Sequence, residues 1–541
     1  MSYRPNRNGK VYQAPRKGQD RWIPKPHHGP LRMPEARGRE YGVAMIIPLL
    51  LTSLLTAPRP LNVVVFMVDD LGWQDTSVPL HEVTTPFNAR YWTPNLERLA
   101  AAGTTFTNAY AAGPVCTPTR TSLLTGQAPA RTQITYWTLH RDQDTSKKHP
   151  RLRPPSWNLN GLQEGMNTLP KRLQDRGYRT IHVGKAHFGA HDTLGADPLN
   201  LGFEINIAGH ASGAPASFLG KHDFSRRGRT GRDEPSVWDV PGLEQYHGEE
   251  IYLTEALTRE AVSEIERSVE EGRPFYLNFS PYAVHTPIMA NEKHLDRYAT
   301  MDSREAAYAT MIESYDEALG HILDRIEAMG LQDDTMIVFT SDNGGLSAHA
   351  RGGPPHVHNA PLRSGKGSAY EGGTRVPTVI AWKGHVPEGG RSDVPIITQD
   401  LFPTILEATG TRPSSDSLLD GIDLNPVFSG QSIPERTIGW HQPHQWGASG
   451  PGIEPFTSIR RGSWKLIYFH DGPRFELYDL KQDPGETHDL VNEQPRQLEI
   501  MAGHMTDWMQ LTGAQRSVVI ESGLPIAMPD VALKSLATPS N

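Results

Sequence analysis

Cys116 is the only cysteine in 541 residues, and it opens the run Cys116-Thr117-Pro118-Thr119-Arg120. A lone thiol forms no intrachain disulfide. Two readings follow: a small buried apolar residue, or a reactive group at fixed spacing from a proline and an arginine. Other polar residues have types suited to holding ions and moving protons. Asp69, Asp70, Asp342 and Asn343 offer only hard oxygen ligands, which suit Ca2+, and less well Mg2+, rather than zinc. Three carboxylates around one point repel each other unless a cation lies among them. Such a cation can polarise a nucleophile and an anionic substrate together. Arg120, Lys185 and Lys366 supply a planar fork and two mobile point charges for a tetrahedral oxyanion. His187 and His285 can shuttle protons near neutral pH.

The elements that position these groups follow from the apolar pattern. From residue 61 short β-branched runs alternate with helical stretches, which argues for an α/β fold with a mostly parallel sheet covered by helices. Strands are expected at Asn62–Val68, Tyr178–Val183, Pro274–Phe279, Thr335–Thr340 and Thr378–Trp382. Helices are expected from Thr93 to about Ala102, from Thr168 to near Gly177, and over Glu250–Glu271, Arg304–Met329 and Ile397–Thr409. In open α/β sheets ligands bind outside the carboxyl ends of the strands. Asp69-Asp70, Lys185 with His187, His285, and Asp342-Asn343 each follow one of these strands, so the pattern gathers them at one edge. Cys116 is expected at a strand–helix junction, with Thr121–Thr125 entering the helix and amide groups nearby favouring an anion. Beyond a Pro-, Ser- and Asp-rich stretch at about 411–436, short strands at Thr457–Arg460, Trp464–Phe469 and Phe475–Leu480 have hairpin spacing, with Asp471-Gly472 as a turn. A helix over about 496–511 completes a small antiparallel α+β unit.

A chain of this length exceeds one hydrophobic core. The expected organisation is a basic disordered extension over 1–40, a signal-peptide-like segment over 41–57, a catalytic domain over 60–430, an antiparallel-sheet subdomain over 431–515 and a tail over 516–541. Residues 1–40 hold ten Lys or Arg against three Asp or Glu, too little apolar surface to order the stretch. Met33 or Met45 is an alternative start. The apolar run from Gly42 to Ala57 is short for a span of about 20 residues. It suits the h-region of an export signal, or else a buried element; no cysteine is available there for a lipid anchor. A net charge of −8 argues against nucleic acid as a partner.

Taken together, the motifs resemble those of the type I, formylglycine-dependent sulfatases of the alkaline-phosphatase-like superfamily, bacterial arylsulfatase-A-like carbohydrate sulfatases among them. The resemblance covers most of residues 60–490. It rests on Cys116-Thr117-Pro118-Thr119-Arg120 with Thr121-Ser122-Leu123-Leu124-Thr125-Gly126, on Val68-Asp69-Asp70-Leu71-Gly72, on Gly184-Lys185-Ala186-His187, on His285-Thr286-Pro287, on Ser341-Asp342-Asn343-Gly344-Gly345, and on Pro361 to Pro377 around Lys366. Ala186 stands where tryptophan is common, and Ser364 where glycine is usual.

The resemblance implies an alkaline-phosphatase-like sheet sandwiched by helices with a smaller C-terminal subdomain. It implies an enzyme of the sulfuric ester hydrolase class. Cys116 would be oxidised to formylglycine by a formylglycine-generating enzyme, and its hydrate would be the nucleophile. Asp69, Asp70, Asp342, Asn343 and residue 116 would hold one Ca2+ (Mg2+ less readily). Arg120 and Lys185 would hold the hydrate, His187 would act as base, and His285 and Lys366 would bind sulfate, one of them protonating the leaving alcohol. A sulfated carbohydrate, with residues 188–250 lining the pocket mouth, is the expected substrate of an exported enzyme without a stable membrane anchor. Two alternatives remain at this point. One is a phosphodiesterase or phosphonate monoester hydrolase of the superfamily, with His349, His356 or His358 near a second ion. The other is a non-catalytic glycan-binding relative, expected to lose Cys116 or Lys366.

Overall fold

The computed structural model describes residues 59–347, 351–413, 418–447 and 450–537. The basic extension, the apolar 41–57 segment and His349 lie outside the described residues. No helix among the described residues is long and apolar enough to cross a membrane.

Eight strands form the central sheet: β1 (Asn62–Val68), β2 (Thr104–Phe106), β3 (Arg179–Gly184), β4 (Ile205–Ile207), β5 (Phe275–Ser280), β6 (Thr335–Ser341), β7 (Thr378–Ala381) and β8 (Gly390–Ser392). Their order is β8-β2-β7-β6-β1-β5-β3-β4. Every neighbouring pair is parallel except those of β7, which runs against both β6 and β2. Alternate side chains of β1 divide between two cores. Val64, Phe66 and Val68 meet the helices Leu253–Glu270 and Ser303–Ala328. Val63, Val65 and Met67 meet Leu123, Leu124, Leu173 and Ile405 on the opposite face. A strand buried on both faces reads as an unbroken apolar run, which is how Asn62–Val68 reads.

Register fixes the edge where chemistry can occur. Val68 pairs with Ser341 and Gly184 with Ser280, so β1, β3, β5 and β6 end together. Asp69, Lys185 and Asp342 are the next residues along three of these strands.

The helix carrying Cys116 begins at that residue, earlier than the Thr121 entry expected from the sequence, and runs Cys116–Thr125. Val115 precedes it in extended conformation at φ −142° and ψ 162°. Pro118 occupies the first turn, where its missing N–H costs nothing because no intrahelical acceptor exists there.

The second sheet is antiparallel, formed by β9 (Thr437–Gln442), β10 (Phe456–Arg461), β11 (Trp464–Phe469) and β12 (Arg474–Asp479) in sequence order. The helix Pro495–Thr512 covers one face through Leu498, Met501, Met505 and Trp508. The other face packs Trp440, Phe456 and Phe469 against Tyr110 and Tyr370. A buried ionic cluster lies at this junction. Lys465 of β11 is 3.0 Å from Glu371 and 2.8 Å from Glu486, and Tyr110 donates to Glu371 at 2.6 Å. The segment that carries Lys366 is thereby braced by the small sheet. Residues after 515, expected as a loose wrap or tail, include Val518–Val519 paired with Leu152–Arg153 and a helix Pro529–Ala537. Ile526 and Ala532 bury in the small sheet's core, which gives that segment its anchorage.

Candidate active site

Strand ends, one helix start and one loop bring the chemistry-bearing residues together. Asp69 leaves β1 fully buried, and Lys185 Nζ donates to both of its carboxylate oxygens at 2.7 Å. Asp70 follows at φ 57°, a turn that sends its side chain to a different neighbour. Its Oδ1 accepts from Lys366 Nζ at 2.6 Å and from Asn343 Nδ2 at 2.8 Å. Asp342 takes the Asp70 amide at 3.1 Å on one oxygen and Arg120 Nε at 2.8 Å on the other. Arg120 also donates to Lys185 O at 2.7 Å, so its guanidinium stitches helix start to sheet edge. Cys116 Sγ lies 3.8 Å from Asp69 Oδ1 and 3.4 Å from Lys366 Nζ.

The ligand atoms of Asp69, Asp70, Cys116 and His285 all fall within 4.8 Å of one another. Asp342 stands outside that group, with its oxygens engaged by Arg120 and the Asp70 amide. Neither His356 nor His358 joins it; His358 Nε2 donates to Gly352 O at 2.8 Å. A divalent cation fits these residues. Asp69 and Asp70 are buried within that group, the buried Asp342 adjoins it through the Asp70 amide, and Asn343 Oδ1 is buried with no hydrogen-bond partner among the described residues. Oxygen donors of this kind match a hard ion.

Electrostatics follows from burial and charge. Desolvation pushes the Asp69 carboxyl well above the ordinary carboxylate value, with Asp342 and Asp70 adding to the rise and Lys185 opposing it. Asp342 is held below the ordinary range because Arg120 and the two lysines outweigh its burial. Burial pushes the Cys116 thiol up to about 12 despite Lys185 and Lys366, so the unmodified residue is a thiol at neutral pH and a weak nucleophile. Lys366 is held above its ordinary value by Asp70 and stays charged.

The two histidines are oriented by backbone carbonyls. His187 donates from Nε2 to Thr138 O at 2.8 Å, which leaves Nδ1 a buried acceptor with no partner among the described residues. Burial holds its pKa well below the usual value, so it is neutral. Gly213 packs so closely on this ring that a Cβ there would come within 2.4 Å of it. His285 donates from Nδ1 to Thr286 O at 2.8 Å, and its Nε2 faces Asp70 at 3.7 Å. Burial and Lys366 push its pKa down to about 3.

These groups floor a cavity of about 600 Å3 lined by Cys116, His187, His285 and Lys366. Its upper wall comes from residues 213–238, which places part of the 188–250 insertion at the mouth. Trp137, Trp238, Trp446, Arg226 and Arg229 also line it, and none was marked by motif or spacing. Ser364, the residue in place of the usual glycine, sits at φ 64° with its Oγ donating to Pro451 O at 3.1 Å. Ala186 is fully buried in the second core and is not among the residues that line the cavity.

A family model described as Sulfatase matches residues 61–411, and one described as N-sulphoglucosamine sulphohydrolase, C-terminal, matches 365–512. The chain is 32% identical over 400 residues to N-acetylgalactosamine-6-sulfatase of Canis lupus familiaris, covering 71% of this chain and 69% of the relative. It is 28% identical over 490 residues to human arylsulfatase A, covering 83% and 87%. A solved structure described as Ps i-CgsB in complex with k-i-k-neocarrahexaose superposes with a TM-score of 0.69 at 26% identity, covering 89% of this chain and 98% of that one. The fold is that of the alkaline-phosphatase-like sulfatases, and residues needed for turnover in the sequence-based reading, Cys116 and Lys366, are both present. The chain belongs to the sulfatase family and is a sulfuric ester hydrolase.

Proposed function

We propose that this enzyme removes sulfate from a sulfated carbohydrate, using formylglycine derived from Cys116 and one bound Ca2+. The observation that carries the reading is that Cys116 and Lys366 line a cavity with three tryptophans in its walls, with the buried Asp69–Lys185 pair directly behind Cys116. The sugar substrates named for relatives support the carbohydrate. The apolar 42–57 run behind Arg37 and Arg39 supports export, and a formylglycine-generating enzyme is the implied maturation partner.

Once formed, the hydrated aldehyde of residue 116 would supply one hydroxyl to take the sulfuryl group and a second to release it. The cation, held by Asp69, Asp70, Asp342, Asn343 and residue 116, would supply fixed positive charge beside that hydrate. The chain's own residues do the rest. Cys116 stands at a helix start whose free amides favour negative charge. Arg120 and Lys185, both buried, hold Asp69 and Asp342 in place and keep positive charge next to residue 116. Lys366 Nζ carries its proton at neutral pH and contacts sulfate oxygens. His285 keeps its proton on Nδ1 and presents Nε2 at the bridging-oxygen side. His187 Nδ1, neutral and unpartnered, accepts a proton from residue 116.

The test is expression with a formylglycine-generating enzyme, followed by a panel of sulfated mono- and oligosaccharides alongside matched phosphate esters. The Cys116 peptide should be lighter by the thiol-to-aldehyde change, and sulfate should be released from at least one sugar. A fully modified protein that releases sulfate from no sugar sinks the carbohydrate reading; turnover without any modification sinks the formylglycine reading.

A further inference from the structure

The cavity above Cys116 has cationic groups that the handling of one sulfate leaves unused. We propose that Arg226 and Arg229 form a subsite for a second anionic group, a sulfate ester or a uronic carboxylate, carried by the same substrate as the scissile sulfate. The proposal rests on the carbohydrate reading above and names the subclass of sugar: one that bears at least two negative charges.

Both arginines line the same cavity as Cys116 and Lys366. They lie on the short helix Arg226–Thr230, Arg226 half-buried and Arg229 exposed. Among the described residues neither guanidinium has an ion pair or hydrogen bond, whereas their neighbour Arg227 lies 3.6 Å from Asp233. Among the described residues no aspartate or glutamate lines this cavity, in a chain whose acidic residues outnumber its Lys and Arg by 61 to 53. Clustered like charges with no counter-charge repel, and an anion entering relieves that repulsion. Guanidinium forks bind sulfate and carboxylate oxygens in pairs, which a neutral sugar hydroxyl cannot reproduce.

The loop that displays them is built rather than slack. Asp239 accepts from the Arg226 amide at 2.7 Å and from the Ser236 amide at 2.9 Å, closing the loop on itself. Ser225 caps the helix by accepting from the Gly228 amide at 3.0 Å. The Ala216 amide donates to Trp238 O at 2.6 Å, tying the Trp238 side of the mouth to the Gly213 side. Trp137, Trp238 and Trp446 supply flat apolar faces for sugar rings between the two ends. A cavity of about 600 Å3 exceeds the needs of a sulfate group and falls in the range of pockets that enclose whole small ligands, about 300–1,000 Å3.

The experiment compares the formylglycine-bearing enzyme with its R226A/R229A and R226K/R229K variants. Three disaccharides serve as probes: one with a single sulfate, one with a second sulfate, and one with a sulfate and a uronic acid. The expected result is that the ratio of kcat/KM for a dianionic over the monoanionic probe falls by about tenfold or more in the alanine variant, through KM, and is partly kept in the lysine variant. Which dianionic probe shows the fall identifies the second anion. An unchanged ratio, or equal loss on all three probes, overturns the proposal. Calorimetric titration of the same sugars into Cys116→Ala protein, with and without R226A/R229A, gives a readout independent of turnover. Loss of dianion affinity in the combined variant supports the subsite, and equal affinity overturns it. Absence of sulfate release by the wild type from every sugar would instead remove the carbohydrate reading, with the subsite still decided by the titration.

Discussion

Lys366 Nζ lies 3.4 Å from Cys116 Sγ and 2.6 Å from Asp70 Oδ1, so a single ammonium joins the only cysteine to a carboxylate at the end of β1. The lysine arrives from a loop about 250 residues downstream of the cysteine. It is held there by main-chain bonds, Lys366 N to Gly345 O at 3.1 Å and Gly367 N to Pro114 O at 2.8 Å. Gln442 of β9 adds a bond to Gly367 O at 3.1 Å, so the small sheet helps fix a charge in the large one.

Replacing this ammonium tests its role apart from maturation. Lys366→Met should lower kcat by about 10²–10³, the usual consequence of removing one charge-stabilising donor from a catalytic site. The Cys116 peptide of the variant should still carry the aldehyde by mass analysis. A variant with near wild-type kcat would remove Lys366 from the reaction.

Chelation tests the cation. Without an ion, burial drives the Asp69 carboxyl well above its ordinary value, so the acidic cluster is satisfied only by taking up protons or leaning on Lys185 and Lys366. A cation bound to the folded state alone stabilises it by about 2.7 kcal/mol at a hundredfold excess over its Kd. EGTA treatment should therefore lower both activity and the melting temperature, and Ca2+ should restore both at lower concentration than Mg2+. Indifference of both properties to EGTA would exclude the ion.

Gly367 tests the loop geometry. It sits at φ 83°, and a Cβ there would come within 2.0 Å of the Trp446 ring. Gly367→Ala meets both the left-handed backbone penalty and the indole, at a combined cost of about 1–3 kcal/mol. The expected outcome is a modest drop in stability with a larger loss of kcat, because Lys366 and Trp446 must shift relative to Cys116. Unaltered kcat in a folded variant would show that the position of Lys366 tolerates movement.

The sheet edge was legible because two central strands are apolar runs that end in a polar pair, at Val68-Asp69-Asp70 and Ser341-Asp342-Asn343. Strand periodicity fixes which residues follow a strand, and parallel register then aligns the ends. The start of the Cys116 helix was less legible: the helix begins at Cys116 rather than Thr121, with Pro118 accommodated in its first turn. The antiparallel course of β7 left no local mark, because direction within a sheet is set by connections. Arg226, Arg229, Trp137, Trp238 and Trp446 were also hidden. Their segments carry no apolar period, and they reach the cavity only through loop closure, by bonds such as Asp239 to the Arg226 amide. The fold and the floor of the site therefore follow from local pattern, whereas its walls follow from long-range packing.

A last prediction concerns stability away from the cavity. His294, buried beside the helix Ser303–Ala328, has Nδ1 3.3 Å from Glu313 and Nε2 3.4 Å from Glu317. Its pKa is raised to about 9 because these carboxylates outweigh desolvation, and Glu317 is lowered to about 2 in turn. A histidine raised above its unfolded value contributes stability that is complete below pH of about 6.5 and is lost as pH rises through about 9. Glu317 contributes in the opposite direction, losing its share as pH falls from about 4.5 toward 2. With Glu317 partly exposed, the histidine's share is about 2 kcal/mol rather than the larger value of a fully buried pair. Denaturation at pH 6 and at pH 9.5 should show the wild type losing about that amount relative to His294→Gln between the two conditions. Parallel pH dependence in the two proteins would mean that the ion pair adds nothing to the fold.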